Sequence, residues 1–591
     1  MRRRHGISTR QASSRARLWK RTGLFLLVCG MSVVMGYLLE QAARVQPKQA
    51  AAQPAAALPI MAAKINSDAH MDADVQLPAA IGAASLAYGF QSAVMQDGAI
   101  LERYTRPQAL RFETADAYSP AKGVTTFGGG NYRDDFTYGT RRIQNKTLSR
   151  VWAQDVGSLQ TAAGDTWEGT GWTGMPLIIQ WEENVRQTLG VAETYKRMDG
   201  FTEVIYPATD GKIYFLELQT GAQTRAPIEV GVVMKNATLD PRGYPVLYVG
   251  QGVEDEVDGK GAWVRAISLI ENREIWRFGG RDPFALRAYQ AYDGGVLFHA
   301  AADTMFVPGE NGVLYSVKLN TVFSPETATL TLNPEPLVKY RYTADGYDEA
   351  AGRVWGIESA VAAFGQYGFF TDNGGFLQCI DLNAMCPIYV VDLLAESDAT
   401  PVIEREEEGF YIYTATLAAK NGGVAYQRKH DGKTGEILWE NQCATVDTGD
   451  PADTRGTLGT PHAGRGNIQN MVIFNCTMTL YSQDGQSQRG GSVMALSKQT
   501  GKPIWTHTQA GGCWSSPVVI YDEAENAYVL QCDRLGNLLL LDGRTGETLL
   551  SLDMGSRIES TPAVFNDMLV VGTRGKYGSG ESAKIIGVKI G

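Results

Sequence analysis

The chain has 591 residues, of which 44% are hydrophobic and 20% are charged, and this composition excludes a wholly disordered protein. Its 66 glycines, about one residue in nine, are typical of an all-β protein with many short strands and turns. Eight of the 54 lysines and arginines precede residue 22 but none of the 64 aspartates and glutamates does, so residues 22–591 have a formal charge of −18. A surface this acidic repels phosphate backbones and excludes a nucleic-acid-binding protein.

The N-terminal segment combines a basic tail, residues 1–21, with an uncharged apolar run, residues 22–39, that reads TGLFLLVCGMSVVMGYLL. Eighteen such residues are long enough for a membrane helix, and the basic flank is expected on the cytoplasmic side. We therefore predict a single-pass transmembrane signal-anchor, with the rest of the chain extracytoplasmic in a periplasm or at the cell surface. Two alternatives stay open: cleavage of the run as a signal peptide, and lipid attachment at Cys29.

Two segments of different character separate the anchor from the rest of the chain. Residues 40–80 are rich in alanine, proline and glutamine, and this composition predicts a flexible stalk. Residues 81–145 are mixed in composition and receive no assignment from the sequence.

From about residue 146 a short pattern recurs in degenerate copies, the clearest of which is LGNLLLLDGRTGETLL at 535–550. Two apolar runs flank a Thr-Gly turn there, which is the pattern of two strands around a tight turn. A small-residue-Pro-apolar phrase, such as WSSPVVI at 514–520, opens each unit, and in IESAVAA at 357–363 we place Ala360 where the proline stands. The turns recur at multiples of about fifty residues, which is the period of a four-stranded β-propeller blade.

Eight opening phrases predict an all-β propeller of eight four-stranded blades over residues 146–591, or seven blades if one degenerate unit is misread. The last unit ends without an outer strand of its own, and LSRVWAQDV at 148–156 has the pattern of such a strand. Pairing this N-terminal strand with the last unit would close the ring and remove an open sheet edge. Residues 535–550 then form the third strand, the turn and the fourth strand of the seventh blade.

Six cysteines follow the apolar run, and their positions predict three disulfides. Two pairs are nearly symmetric about predicted hairpin turns, so their side chains would face each other across adjacent strands. The third pair follows by elimination, and six buried free thiols are the alternative. The sequence contains no CxxC motif, so zinc binding and thiol–disulfide exchange have little support. The predicted pairs are Cys379–Cys386, Cys513–Cys532 and Cys443–Cys476.

The phrases SSPVV, GNLLLLDGRTGETLL and TGKPIW resemble the pyrroloquinoline-quinone-like (PQQ-like) propeller repeat. This repeat is shared by quinoprotein alcohol dehydrogenases and the outer-membrane assembly lipoprotein BamB, and the resemblance covers residues 146–591. For the dehydrogenases it implies a quinone under a disulfide of adjacent cysteines, over a tryptophan floor, with calcium on acidic and amide ligands. The chain has no adjacent cysteines and no CxxCH haem motif. We therefore predict no PQQ, calcium or other cofactor and no catalytic or metal-binding residue.

The mouth of the central channel is the predicted binding region, because the first strand of each blade is innermost. The residues equivalent to Trp514 in the opening phrases should line it. Acidic and aromatic side chains there would suit a polar or cationic ligand, and a merely hydrated channel is the alternative. The residues are Thr173, Ile357, Asp398, Leu458, Trp514 and Glu559.

These features predict a membrane-anchored, extracytoplasmic and monomeric propeller that acts as a non-catalytic scaffold for a protein or cell-envelope partner. Propellers present broad, rigid faces, and a stalk lets such a face reach away from the membrane. The alternative is a PQQ-dependent or other oxidoreductase with an atypical site. A sensor ectodomain is disfavoured, because the predicted cytoplasmic tail of residues 1–21 has no room for an output domain.

Overall fold

The computed structural model describes the backbone of residues 63–64, 88–162, 164–171, 174–254, 261–349, 354–406, 409–418, 423–447, 454–483, 486–575 and 582–591. All of these residues belong to one compact unit, residues 61–591. The predicted tail, the predicted anchor at 22–39 and Thr173 lie outside the described residues. In the part of the chain that the structure describes, no helix combines the length and the apolar character needed to cross a membrane.

Among the described residues, eight of the ten sheets each contain four consecutive antiparallel strands that run from the centre of a ring outward, and some of these sheets carry additional edge strands. The predicted eight-bladed propeller is therefore confirmed. Blades 1 to 4 contain β9 (Leu177–Gln180), β10 (Thr202–Pro207), β11 (Lys212–Glu217) and β12 (Ile228–Glu229); β13 (Met234–Leu239), β14 (Val246–Gln251), β15 (Trp263–Ser268) and β16 (Arg273–Gly279); β17 (Leu297–His299), β18 (Thr304–Pro308), β19 (Val313–Lys318) and β22 (Val338–Thr343); and β23 (Ala362–Phe364), β24 (Tyr367–Thr371), β25 (Phe376–Asp381) and β26 (Cys386–Asp392).

The second half of the ring repeats this arrangement. Blades 5 to 8 contain β27 (Val402–Glu406), β28 (Gly409–Ala415), β29 (Val424–Asp431) and β30 (Ile437–Ala444); β31 (His462–Ala463), β32 (Met471–Gln483), β33 (Gln486–Ser497) and β34 (Pro503–Gln509); β35 (Val518–Tyr521), β36 (Ala527–Cys532), β37 (Asn537–Asp542) and β38 (Thr548–Asp553); and β39 (Ala563–Phe565), β40 (Met568–Gly572), β41 (Ala583–Ile590) and β6 (Leu148–Val156).

Short elements complete the described fold. They are β1 (Ala63–Lys64), β2 (Gln91–Gln96), β3 (Ala99–Leu101), β4 (Lys122–Val124), β5 (Thr137–Tyr138), β7 (Ser158–Gln160), β8 (Thr166–Glu168), β20 (Val322–Ser324), β21 (Thr329–Thr331), the helices α1 (Glu183–Arg186) and α2 (Glu193–Lys196), and the 3₁₀ turns Ala115–Ala117 and Gly466–Ile468.

The apolar runs of the repeat become strands that are buried on both faces, because each blade packs between two neighbours. In blade 7, all six residues of β36 are buried, and so are the four leucines of β37. The outer strand β38 instead alternates between exposed and half-buried residues, since one of its faces meets solvent. The predicted third strand, turn and fourth strand of blade 7 are therefore confirmed.

The ring closes as predicted, because β6 pairs with β41 from Leu148 opposite Ile590 to Val156 opposite Ala583. The first strand after the unassigned segment thus becomes the outer strand of the last blade. This pairing covers the edge that β41 would otherwise expose, and β6 becomes the outer edge of the last blade.

Tryptophans of three outer strands dock on the Thr-Gly turn of the next blade. Each indole Nε1 donates to a backbone carbonyl of that turn region, from Trp152 to Leu218 (2.8 Å), from Trp439 to Lys498 (2.8 Å) and from Trp505 to Gly543 (3.0 Å). Gly546 shows why the turn needs glycine: its φ is +72°, and a Cβ there would lie 2.4 Å from the Trp505 ring. The recurring Thr-Gly and Trp pair is therefore an inter-blade contact.

Candidate functional site

The two faces of the ring differ in the connections that they carry. We call the face at which each inner strand begins the mouth face, and the opposite one the rear face. The opening phrases and the turns between second and third strands lie at the mouth face. The site is described from the centre of the ring outward toward this face.

A segment that precedes the repeats occupies the centre of the ring, and we call it the plug (residues 122–138). Its strand β4 pairs with β9 of blade 1, and β5 pairs with β39 of blade 8. Backbone N–H groups of other inner strands donate to plug carbonyls, from Leu239 to Thr125 (2.8 Å), from Ala363 to Asn131 (2.7 Å) and from Ile403 to Tyr132 (3.0 Å). The sequence left 81–145 unassigned because the plug has no repeat pattern.

Arg133 fastens the plug to the blades. Its fully buried guanidinium donates to the carbonyls of Phe127 (2.7 Å), Val361 (2.9 Å) and Val296 (3.3 Å). A fourth bond reaches the Thr126 hydroxyl at 3.0 Å. Burial lowers the pKa of Arg133 to about 10, which leaves the side chain charged at neutral pH.

Above the plug, a belt of backbone-to-hydroxyl bonds joins neighbouring blades around a small axial cavity. The N–H of Ala360 donates to Thr400 Oγ1 (3.0 Å), that of Thr460 to Ser516 Oγ (3.0 Å) and that of Ser516 to Thr561 Oγ1 (3.1 Å). The same residues and Phe127 line the cavity, which has about 10 Å³ for the centre of a water molecule. That is the space of about one water.

The equivalent hydrogen bonds of this belt show which residue of blade 4 corresponds to the proline of the other opening phrases. Ala360 is equivalent to Thr460 and Ser516, which directly precede their prolines, so Val361 and not Ala360 stands at the proline position. The mouth residue of this blade is therefore Glu358, which lines the cavity, whereas Ile357 is fully buried in the core. The prediction for Ile357 is wrong by one residue because the phrase lacks its proline.

Trp514 and Glu559 lie at the mouth in a ladder of aromatic and charged groups. The Arg534 guanidinium lies over the Trp514 ring, 4.1 Å from its centroid, and its Nε is 3.0 Å from Glu559 Oε1. Arg574 bonds the other Glu559 oxygen at 3.1 Å and lies 5.3 Å from the centroid of Trp167. The buried carboxylate of Glu559 is thus paired with two guanidinium groups.

Asp398 belongs to a different group on the other side of the mouth. Carboxylates of blades 3, 4 and 5 converge there, and two sets of three have oxygens within 4.8 Å of one another. We call the five residues the acidic cluster: Asp293, Glu310, Glu358, Glu396 and Asp398. Leu458, by contrast, lines the cavity as an apolar side chain.

Crowding and burial change the protonation of the acidic cluster. Burial, together with Glu358 and Glu396, raises the pKa of Asp398 well above its ordinary value. Burial and Glu358 likewise raise the pKa of Glu310. The pKa of Asp293 rises to about 6, because burial outweighs the opposing effect of Lys235. In all three cases burial is the main cause, and the neighbouring Glu358 adds to it.

Two basic side chains contact the acidic cluster among the described residues. Burial acts to lower the pKa of Lys235, but its ion pair with Asp293 outweighs burial, so the pKa is raised. Arg287 pairs with Glu310, with 3.1 Å between Nη1 and Oε1. The sequence identified Asp398 alone of this group, because the other members lie outside the position equivalent to Trp514 or were misaligned.

None of the six described cysteines, all of which are buried, forms a disulfide in the structure. The predicted opposition of Cys379 and Cys386 is wrong, since Cys379 lies opposite Tyr389 and Cys386 opposite Asp381. Cys513 lies outside the strands, and Cys532 is paired with Leu538.

The third predicted pair has a different geometry. Cys443 of blade 5 and Cys476 of blade 6 lie within hydrogen-bonding reach of each other across the blade interface. The hydrogen bond with Cys476 lowers the pKa of the Cys443 thiol, and this effect outweighs burial, which acts to raise it. Their disulfide stays a prediction.

The quinone that the resemblance implies does not fit the described residues at the axis. The cavity has room for about one water, and the plug closes it from behind. The face of Trp514 that a ring system could stack on carries Arg534. Oxygen donors suited to a hard cation are nevertheless present in the acidic cluster.

Comparisons with known proteins agree with the eight-bladed fold. Residues 489–584 match the family model described as outer membrane protein assembly factor BamB. No curated protein matches the chain. The structure is similar to quinohemoprotein alcohol dehydrogenases of Pseudomonas putida HK5 and Comamonas testosteroni, both with a TM-score of 0.50, at 11% and 13% identity.

The coverage of these matches is extensive. The alignments with the two dehydrogenases each cover 80% of this chain, and they cover 80% of the Pseudomonas putida chain and 81% of the Comamonas testosteroni chain. BamB from Moraxella catarrhalis aligns at 14% identity and a TM-score of 0.44, over 69% of this chain and 98% of its own. The family match and the ring together confirm the PQQ-like propeller resemblance as a statement about the fold.

Proposed function

We propose that this chain is a non-catalytic binding module, anchored in a membrane by residues 22–39, which holds a protein or cell-envelope partner on the mouth face of its propeller. The proposal rests chiefly on one observation: the longest connections of blades 4 to 8 join strand ends at the mouth face, where three exposed leucines also lie. Binding residues are disproportionately found on such loops, held in place by a rigid scaffold.

The connection lengths support this choice of face. In blades 4 to 8 the longest rear connection covers 464–470, and several consist of two residues, such as 365–366 and 566–567. At the mouth face of the same blades, strand ends are joined by eight residues (416–423), seventeen residues (445–461) and ten residues (573–582) of chain. Apart from 464–470, the rear connections of these blades have two to five residues, which is fewer than in any of these three mouth connections.

Exposed apolar residues support the same face. Leu394 is 52% exposed, Leu480 57% and Leu535 63%, and all three lie at mouth-face turns or on the blade 6 hairpin that extends there. Single exposed leucines are ordinary on a protein surface, but several around one face are typical of an interaction site.

The filled axis favours binding over catalysis. An enzyme site needs a cavity that holds its substrate, and sites for small ligands have volumes of hundreds of cubic ångströms. The axial cavity of the described residues has room for about one water. A quinone-dependent oxidoreductase would need a displaced plug or a site elsewhere.

A photo-crosslinking experiment tests the proposal. Benzoylphenylalanine replaces Leu535 on the mouth face of the full chain in its native cells, and Arg544, an exposed residue of a rear turn of the same blade, is the matched control position. We expect a discrete crosslinked partner, identified by mass spectrometry, from position 535 only. Equal crosslinking from both positions, or none from either, contradicts a mouth-face binding module.

A second measurement tests the oxidoreductase alternative. The melting temperature of the full chain is recorded with Ca²⁺ alone and with Ca²⁺ plus pyrroloquinoline quinone. We expect no further rise with quinone, because the axis cannot hold it. A quinone-dependent rise that grows with concentration would mean that the native state binds the cofactor and would favour the enzyme.

A further inference from the structure

A pocket lies at the rear end of blade 3, between that blade and a segment that precedes the plug in the chain. It is lined by Thr304, which begins β18, and Lys318, which ends β19, so it belongs to the rear face. Its volume is about 150 Å³. A cavity of about this size binds benzene, so the pocket has room for one small ring compound. We call it the rear pocket, and its polar side chains include Tyr104, Arg106, Thr304, Ser316, Lys318 and Glu335.

The segment that forms the outer wall of the rear pocket is fixed to blade 4. The backbone N–H of Arg106 donates to the carbonyl of Asn383 (2.9 Å), which lies in the turn between β25 and β26. The N–H of Leu110 donates to Asn383 Oδ1 (2.9 Å), and Asn383 Nδ2 donates back to the Leu110 carbonyl (3.0 Å). The pocket is therefore bounded by hydrogen-bonded chain on this side and by strands on the other.

Arg106 brings a buried positive charge to the rear pocket. The residue is 8% exposed, and among the described residues no carboxylate forms an ion pair with it. Its Nε and Nη2 donate to the carbonyl of Leu382 at 3.1 and 2.8 Å, and Nη2 also donates to Ser316 Oγ at 3.0 Å. A guanidinium has five N–H donors, and the two on Nη1 meet no described acceptor.

Other donors of the rear pocket are also unused among the described residues. The hydroxyl of Ser316 accepts from Arg106 but donates to no described group, and the hydroxyl of Tyr104 has no described hydrogen bond. The ammonium of Lys318 is 3.7 Å from Glu335 Oε1, beyond hydrogen-bonding distance, and the Glu335 side chain is 46% exposed. Four donor groups thus surround one cavity that has a single carboxylate among its lining residues.

We propose that the rear pocket binds a small organic monocarboxylate, whose oxygens accept from Arg106 and Lys318. Hydrogen bonds between charged partners are stronger than neutral ones, so these two cations favour a carboxylate over an uncharged compound. The lining also has an apolar part, formed by Ala302, Pro336 and Val338, which suits a hydrocarbon body. Larger ligands are disfavoured, because sites for drug-sized molecules have volumes of several hundred cubic ångströms.

Glu335 gives the site a built-in competitor. Its carboxylate is the acidic group that lines the pocket, and its side chain is partly exposed. A bound carboxylate is repelled by Glu335 and competes with it for Lys318. Removing the charge of Glu335 should therefore strengthen binding, whereas removing a cation should weaken it.

The inference does not depend on the proposed function. The rear pocket lies on the face opposite to the mouth, and its ligand is neither the quinone nor the partner discussed above. A small carboxylate can bind there whether or not a partner occupies the mouth face.

The test measures the binding of benzoate to the full chain by saturation-transfer NMR titration at constant ionic strength. Benzamide is the matched ligand, because it has nearly the same shape without the charge, and inorganic phosphate is a competing anion of different shape. We expect benzoate to bind at least tenfold more tightly than benzamide. Phosphate at the same concentration should not displace it.

Variants locate the bound benzoate. Arg106→Gln should weaken binding at least tenfold, and Arg103→Gln is the matched control, because Arg103 is an exposed arginine of the same segment outside the pocket lining. Glu335→Gln should bind benzoate at least twofold more tightly than the wild type. If Arg106→Gln fails to fold, Lys318→Gln changes a half-buried side chain instead and should weaken binding at least threefold.

Three results overturn the proposal. The first is no binding of benzoate, or equal binding of benzoate and benzamide. The second is an affinity for benzoate that is the same in Arg106→Gln or Lys318→Gln as in the wild type, which would place the ligand elsewhere. The third is displacement by phosphate, which would mean a general anion site. None of these results bears on crosslinking at the mouth face, so failure of the rear pocket and failure of the proposed function are distinguishable.

Discussion

Replacing Arg133 with methionine should release the plug from the ring. The guanidinium makes four hydrogen bonds, three to carbonyls and one to a hydroxyl. Charge-assisted bonds contribute about 1.5 kcal/mol each at the low end, or about 6 kcal/mol together. The burial penalty that lowers its pKa from 12.5 to about 10 offsets about 3 kcal/mol. Arg133→Met should therefore destabilise the plug by about 3 kcal/mol.

Hydrogen exchange measured by mass spectrometry reports this local change. A loss of about 3 kcal/mol corresponds to exchange about 100-fold faster in peptides covering the plug, residues 122–138, if these amides exchange by local opening. Arg142→Met is the matched control, because Arg142 is 73% exposed and pairs only with Glu523 at the surface among its described contacts. Unchanged exchange in the plug of Arg133→Met, or equal acceleration in the control, would refute the role assigned to Arg133.

Three further predictions concern the blades. Burial lowers the pKa of His430 to about 3. Because the unfolded histidine binds a proton below about pH 6.5 and the folded one does not, the stability of the folded protein falls as the pH falls. The difference in unfolding free energy between the wild type and His430→Gln, measured in urea, should therefore shrink by about 2 kcal/mol between pH 7 and pH 5. When oxidised glutathione is added as the oxidant, Cys443 and Cys476 should form a disulfide with each other, while the glutathione is reduced. A non-reducing digest should then contain the two cysteine peptides linked together. Complete alkylation of both thiols after this treatment contradicts the prediction. Trp505→Ala should lower the free energy of unfolding, measured in urea, by about 3–5 kcal/mol, because it removes a buried indole and its hydrogen bond to the next blade. A decrease below about 1 kcal/mol contradicts a stabilising contact between the indole and that blade.

The repeat made most of the ring predictable from sequence. Apolar runs around Thr-Gly turns predict the third and fourth strands, and the missing outer strand of the last unit predicts the closure by β6. Both are local or pairwise patterns, so they can be read along the chain. Trp505 and Gly546 belong to this class, because their contact repeats in other blades at the same positions.

The mouth could be predicted only in part. Asp398, Trp514 and Glu559 were identified because a proline marks their position in the opening phrase. Glu358 was missed, since its phrase has no proline and only the bond between Ala360 and Thr400 reveals the alignment. Successive side chains of an extended segment point to opposite sides, so the shift of one residue selected the buried Ile357 in place of the cavity-lining Glu358.

The sequence by itself determined the blades, their order and the closing strand, because the same apolar runs, turns and docking tryptophans recur along the chain. It left seven or eight blades open, and the structure shows eight. The tertiary structure alone decided what occupies the axis. The plug comes from residues 122–138, while the acidic cluster gathers carboxylates from Asp293 to Asp398. No local sequence pattern predicts the contacts of the plug with the blades or the contacts within the acidic cluster. Residues far apart in the sequence, some by more than a hundred positions, become neighbours there only in the folded ring.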